Sequence, residues 1–322
     1  MRIVNFSYFY HMKEITQLIK QKAHDIGFDK VGITCAKQPE KSAFLTHWLA
    51  KGYHGTMRWM VKYKNIRENI FGLMPDAKSV ICVAHNYYTP FRHSNNKEIA
   101  KISRYAWGND YHKIIKKKLN QLLSEIQSII PDCAGRVCVD NAPIMEKLWA
   151  AKAGIGWQGK NTIMITRDYG SWIFLGEIII NHELEYDTPI EDFCGYCHAC
   201  LDACPTGALI APYQLNATKC ISYLTVELLN DHIPESLAKK MQNWVFGCDI
   251  CQEVCPWNRF RKVTGETSYL PAQEKIAPRL KYLCNMDEKE FKMRFKGSPI
   301  YRKGWHNFIR NVKTVMKVNV KQ

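Results

Sequence analysis

Cys194-Gly-Tyr-Cys-His-Ala-Cys-Leu-Asp-Ala-Cys-Pro205 sets four cysteines in eleven residues and closes on a proline. A second run, Cys248-Asp-Ile-Cys-Gln-Glu-Val-Cys-Pro256, follows a single Cys220. Spacings of two let three thiolates wrap one face of an iron–sulfur cubane, while the cysteine before proline is thrown toward a neighbouring cluster. One 4Fe–4S cluster then takes Cys194, Cys197, Cys200 and Cys255, and the other takes Cys204, Cys220, Cys248 and Cys251. The long Cys220–Cys248 interval departs from the compact ferredoxin pattern and predicts an inserted helical segment over 222–245. Structural zinc would call for separated C-x2–4-C pairs, not three cysteines in seven residues followed by C-P. Residues 186–260 therefore read as a bacterial-ferredoxin-like domain that carries electrons.

The rest of the 322-residue chain is of ordinary soluble composition, 46% hydrophobic and 23% charged. No apolar run approaches the roughly 18–20 residues of a membrane span, and Trp172–Ile180 is strand-sized and interrupted by Glu177. The N-terminus shows neither a secretory signal nor a twin-arginine pair, so a cytoplasmic location is expected. A reducing compartment favours metal ligation over disulfides for the thirteen cysteines. Cys35, Cys82, Cys133, Cys138 and Cys284, outside the two runs, read as small buried hydrophobes.

Helical stripes over Lys13–Ile26, Tyr111–Ile130 and Ile144–Ala153 alternate with apolar runs at Ser79–Ala84, Gly135–Val139 and Ser171–Ile180. This alternation predicts one α/β domain over residues 1–185. It lacks G-x-G-x-x-G after a strand, so a dinucleotide fold is not indicated. Asp110-Tyr-His112 begins like a cobalamin D-x-H-x-x-G signature, but Ile115 stands at the glycine position. His112 therefore reads as a helix-entry histidine rather than a cobalt ligand.

Charge is unevenly spread within a net of +15. Residues 190–256 carry −5, whereas 257–322 carry +11 and contain no acidic residue after Glu290. A one-signed basic segment beside an acidic module points to a polyanionic partner. Trp257, Phe260 and Trp305 either stack on an unpaired base or pack internally.

Several blocks occur in an order that resembles the epoxyqueuosine reductase family of tRNA-modifying enzymes. They are Ser103-Arg-Tyr-Ala-Trp-Gly-Asn-Asp-Tyr-His112, Val139-Asp-Asn-Ala-Pro-Ile-Met-Glu-Lys147, Ala153-Gly-Ile-Gly-Trp-Gln-Gly-Lys-Asn161, Gly170-Ser-Trp-Ile-Phe-Leu-Gly-Glu177, Cys220-Ile-Ser-Tyr-Leu-Thr225 and Gly247-Cys-Asp-Ile-Cys-Gln252. The resemblance runs from about Lys13 to about Lys317. It implies a mixed α/β (α+β) cobalamin-binding catalytic domain, similar to that of the reductive dehalogenases, against the two-cluster module. Residues 261–322 would be a basic helical tail, the remnant of a helical-repeat domain carried by longer members. Residues 1–11 precede the usual start, with Met1 or Met12 as initiator.

The implied reaction is two-electron removal of the epoxide of epoxyqueuosine at the tRNA wobble position, the last step of queuosine synthesis. An external low-potential donor would feed the clusters and then cobalt; whether a carbon–cobalt bond forms stays open. Asp140, at the end of an apolar run, would be the general acid, with a pKa raised by burial or by reduced cobalt nearby; the plainer role is a helix cap. Cobalamin contacts carry over to Arg67, Ser103, Asp140, Met164, Leu175 and Ser222. A monomer is expected. The rival readings are a cytoplasmic reductive dehalogenase, an electron-transfer ferredoxin with an appended domain, and an RNA-binding protein whose clusters are structural.

Overall fold

A computed structural model describes residues 3–37 and 42–320, so a start at Met1 lies outside the described residues. The N-terminal half is built on a four-stranded sheet. Helix α1 (Ile3–Asp25) precedes strand β1 (Lys30–Cys35), and β2 (Ser79–Asn86) follows. Helix α2 (Tyr111–Ile129), strand β3 (Gly135–Cys138), helix α3 (Glu146–Lys152) and strand β4 (Ile173–Ile180) complete it. The strand order is β1-β2-β4-β3, and every pairing is antiparallel. The alternation of helices and strands expected for a mixed α/β domain is present, and the antiparallel sheet gives it its α+β character.

Both faces of the sheet are covered, which is why its central strands read as continuous apolar runs. On one face Ile81, Val83, Phe174 and Ile178 pack under Ile19 of α1 and Ile115 and Leu119 of α2. A Cβ at Gly176 would come within 2.8 Å of Leu119 and 2.9 Å of Ile115, so only glycine lets α2 lie this close. On the other face Val80, Cys82, Ala84, Cys138 and Ile179 meet Trp149 and Ala150 of α3. Cys82, Cys133 and Cys138 are buried as expected of small hydrophobes, while Cys35 and Cys284 are half-buried.

The interval 222–245 is not the helical insertion expected. It holds two short helices, Ile221–Val226 and Glu235–Ala238, and ends in strand β5 (Trp244–Phe246). The length of the interval, which suggested a helix, is instead partly taken up by β5, which pairs in parallel with Lys101–Ile102.

The residues after 261 form no detached tail. Helix α4 (Gly304–Val320) buries Phe308, Ile309, Val312 and Val315 in one core with Ile102, Trp107, Leu224 and Phe246. Asn311, fully buried, donates from its amide to the carbonyls of Thr225 (2.8 Å) and Val245 (2.9 Å). Arg310 donates to the carbonyls of Leu224, Leu228 and Asn230. One core thus joins segments before 185, between 186 and 260, and beyond 261.

Candidate active site and electron-transfer module

Strand β3 ends at Cys138, opposite Glu177; continued two residues, the register would bring Asp140 level with Leu175. There the chain turns. Asp140 adopts φ 41°, a left-handed conformation that aspartate and asparagine tolerate better than most side chains. Glu146, the first residue of α3, holds the turn by accepting the Asp140 N–H at 2.5 Å.

Asp140 Oδ2 lies 2.6 Å from His112 Nε2, and Asp110 Oδ1 lies 2.6 Å from His112 Nδ1. Asp110 caps α2 and accepts the His112 N–H, so one carboxylate both starts the helix and aims the ring. The imidazole stacks on Tyr111 (centroids 4.0 Å), Tyr111 on Phe174 (4.1 Å), and Phe174 on Tyr87 (4.3 Å). This column ties the ring to the sheet. From the C-terminal segment, Arg302 brings its guanidinium 2.6 and 2.7 Å from the two ring nitrogens.

A carboxylate at each nitrogen favours the imidazolium. Burial opposes the charge, but hydrogen bonds to Asp110 and Asp140 raise the His112 pKa above its ordinary value against the pull of Arg302. Asp140 moves the other way. Desolvation pushes its carboxyl up, yet the hydrogen bond and charge of His112, with Tyr111 and Arg302, outweigh this and hold it below the usual carboxylate range. Burial alone therefore does not raise the Asp140 pKa here: its neighbours hold the carboxyl low and His112 high. Glu146 is pushed up to about 7, first by burial and then by the Asp140 charge. Sequence reasoning left His112 as a helix-entry residue and gave Glu146 and Arg302 no role. Only the Asp110-x-His112 spacing hinted at the array.

The other expected cofactor contacts fall into two groups. Met164 and half-buried Leu175 join the apolar cluster on the α3 face of the sheet. Arg67 reaches the same side, donating to the Ile144 carbonyl at 2.9 Å with its guanidinium against Trp59. Ser103 and Ser222 lie by the second cysteine set. Ser103 donates to Asp249, which is fully buried between Cys248 and Cys251, and the Arg104 N–H reaches the same carboxylate at 2.9 Å. Ser222 follows half-buried Cys220 and buried Ile221 at the start of its helix.

The cysteines gather as two sets. Cys194, Cys197, Cys200 and Cys255 line one cavity of about 180 Å³, closed by Asn161 and Trp257. Burial, then the neighbouring Cys194 and Cys255, push the Cys200 thiol up to about 11. Cys251 lies within electrostatic reach of Cys220, of Cys200 in the first set and of Cys204, and Cys248 of Cys220 and Cys251. Lys160 braces the first loop, donating to the carbonyls of Gly195 (2.5 Å) and Cys197 (2.9 Å). Cys197 is exposed, and Tyr196 beside it is fully so.

Of the aromatics considered for base stacking, Trp257 packs on Trp157 and donates to the Phe193 carbonyl, and Trp305 donates to the Met286 carbonyl. Phe260 remains exposed. Among the described residues no helix is long and apolar enough to cross a membrane.

Two family models match the chain: "Epoxyqueuosine reductase QueG, DUF1730" over residues 67–141, and "4Fe-4S double cluster binding domain" over 193–258. The first span contains Arg67, Ser103, His112 and Asp140, and the second all eight clustered cysteines. An epoxyqueuosine reductase of Synechocystis is 46% identical over 264 residues, covering 82% of this chain and 91% of that protein. A crystal structure of an epoxyqueuosine reductase with an epoxyqueuosine-modified tyrosine tRNA stem loop superposes with a TM-score of 0.85 at 32% identity, covering 94% of this chain and 81% of that one. The Bacillus subtilis enzyme, whose structure has its catalytic loop swung out of the active site, superposes at 0.83 with 30% identity over the same shares.

Proposed function

This chain belongs to the epoxyqueuosine reductase family, and on that premise we propose that it reduces epoxyqueuosine in tRNA to queuosine with two 4Fe–4S clusters and cobalamin. The observation that carries the reading is Asp140, hydrogen-bonded to His112 and Glu146, within one folded unit with the eight-cysteine module. Overall the epoxide takes up two electrons and two protons, both C–O bonds of the ring break, and an alkene and water leave.

The residues suit these groups. Eight thiols stand in two sets, one around a common cavity. For cobalamin the test is the orphaned polar atom: buried Arg67 has an Nε without a hydrogen-bond partner among the described residues, on the side that holds Met164 and Leu175. A guanidinium N–H left over in the interior calls for an acceptor from a ligand. Arg67, Met164 and Leu175 would hold the cofactor on one side, and Ser103 and Ser222 beside the cysteines. Bound, the clusters supply single electrons and cobalamin the strongly reducing centre.

The chain itself handles the protons. His112 stores one against Asp110 and Asp140, and Asp140 passes it to the epoxide oxygen as the C–O bond opens. Glu146, titrating near neutrality, fixes the Asp140 backbone and offers a route for the second. Arg302 places a cation at the same spot, fitted to a phosphate of the modified nucleotide. Lys296, Lys313 and Lys317 of the same basic segment are exposed and available to further phosphates. Lys292 and Lys303 are instead paired with Glu288 and Glu227. The exposed Cys197 loop is the entry for electrons from an external donor. A cytoplasmic monomer, with the catalytic, ferredoxin-like and C-terminal parts at 1–185, 186–260 and 261–322, completes the proposal.

The test is anaerobic. Cluster-loaded protein, reductant and epoxyqueuosine-containing tRNA are incubated with and without cobalamin, and the digested nucleosides are weighed by mass spectrometry. Loss of one oxygen only with cobalamin is expected; survival of the epoxide with both clusters reducible overturns the reading. The ligand sets make a second expectation. Cys255→Ala should remove the cluster of the Cys194 loop while sparing the other, so iron falls from about eight to about four per chain. Electron paramagnetic resonance of the reduced variant should lose the coupling between clusters; unchanged iron would show that Cys255 is no ligand.

A further inference from the structure

Residues 41–67 hold six Lys/Arg and no Asp/Glu, a second one-signed stretch besides the C-terminal one. Within it the short helix Arg58–Lys62 buries none of its residues. Trp59 is 42% exposed and Val61 50%, and Tyr63, just after the helix, is exposed as well. A helix that leaves a tryptophan and a valine in solvent gains little from the core, so these side chains answer to a partner. Arg58 and Lys62 are exposed and join no ion pair among the described residues, and Lys62 lies over the Tyr63 ring at 5.2 Å.

The segment is held on both sides of the helix. Before it, the Thr56 N–H donates to the Tyr223 hydroxyl at 2.7 Å, and the Tyr53 carbonyl accepts the Ala217 N–H at 3.0 Å. These bonds tie it to the chain around Cys220. After it, Arg67 donates to the Ile144 carbonyl and lies within electrostatic reach of Glu146 and Asp140. The buried Arg67 guanidinium stands over the Trp59 ring, 5.1 Å from its centre. One face of the indole is thus backed by a cation that also reaches the active site.

The occupant follows from charge and shape. Exposed rings between unpaired cations suit a single-stranded nucleic acid, whose bases stack on aromatics while its phosphates meet the charges. The wobble nucleotide lies in a single-stranded loop, so a nucleotide held at Asp140 brings an unpaired neighbour with it. Trp257 and Trp305, the other candidates for stacking, are engaged inside the fold.

We propose that Trp59 is the platform on which an unpaired anticodon-loop base adjoining the modified nucleotide stacks, with Arg58 and Lys62 on the neighbouring phosphates. The proposal rests on the reading of the chain as an epoxyqueuosine reductase and adds the surface that grips the loop. Trp59 is a binding residue in it; the proton chemistry stays with Asp140.

Binding is measured without reductant on cluster- and cobalamin-loaded protein, by fluorescence anisotropy of two labelled probes. One is an epoxyqueuosine-modified anticodon stem-loop, the other the same stem as a duplex without the loop. Trp59→Ala should weaken stem-loop binding roughly 10- to 100-fold, the worth of one stacked base, and leave duplex binding within about threefold. Trp59→Phe, which keeps a ring, should recover most of the loss. In turnover of epoxyqueuosine-containing tRNA, the Ala variant should raise KM by a similar factor with kcat within about threefold. Its melting temperature and cobalamin content should match the parent, because the side chain removed is an exposed one. Unchanged stem-loop affinity overturns the proposal. So does an equal loss on both probes, which would leave only charge attraction, and so does loss of cobalamin, which would make Trp59 a support for Arg67. A parent protein that reduces no epoxyqueuosine in tRNA overturns the functional reading instead.

Discussion

Asp140→Asn should lower the turnover of epoxyqueuosine tRNA by about 10²- to 10⁴-fold, the usual worth of a positioned general acid, with KM for the tRNA nearly unchanged. Asparagine is the informative replacement. Asp140 sits at φ 41°, which asparagine tolerates better than alanine, and its amide N–H still reaches Glu146. The loop is thus preserved while the transferable proton is lost. Iron content and cobalamin binding should match the parent, so a fall in rate reports chemistry and not assembly. Single-turnover nucleoside analysis under strong reductant measures the step directly. A loss below about threefold would reduce Asp140 to the cap of the turn before α3 and move the acid role to His112 or Glu146.

How much of this was legible in the sequence follows from the range of each interaction. The cysteine runs could be read because ligand spacing is local, and Cys255 could be assigned to the first set because the proline rule fixes where a fourth cysteine points. Strands β2 and β4 announced themselves as apolar runs buried on both faces. Strand β1, Lys-Val-Gly-Ile-Thr-Cys, did not: its glycine and flanking polar residues resemble a loop, and only pairing with β2 makes it a strand. The active-site array was hidden for the same reason. His112 meets Asp140 across 28 residues and Arg302 across 190. Nothing in a helix-entry histidine foretells either contact. The pKa of Asp140 then came out opposite to expectation because a neighbouring cation outweighs desolvation. Likewise a basic segment read as a free footprint is partly spent on intramolecular work by Arg310, Lys303 and Arg302.

His112→Gln should change the pH profile more than any other single substitution. The sign follows from the direction of the shift. His112 has a folded pKa above its ordinary 6.5, so its proton is fully present below that value and is lost as pH rises through the raised one. Asp140 is already ionised across this range, and the imidazolium is the store that recharges it. In the parent, kcat/KM should therefore fall on the alkaline side as His112 empties, and the His112–Asp140 pair should stabilise the fold most between the ordinary carboxylate and imidazole pKa values, where both partners are charged. Removing the imidazole frees Asp140 from the group that depresses it, so desolvation then acts with little opposition and its carboxyl rises. Glu146, near 7, becomes the remaining store. The alkaline limb should move to lower pH, with the loss much larger on the alkaline side of neutrality than at pH 6. Rates of single turnover from pH 5.5 to 9 measure this, with tRNA affinity as control because Arg302 still flanks the site. A uniform drop at every pH would make His112 only a support for the Asp140 loop. A shifted limb identifies it as the proton store, and the aromatic column through Tyr111 and Phe174 as the structure that keeps it aimed.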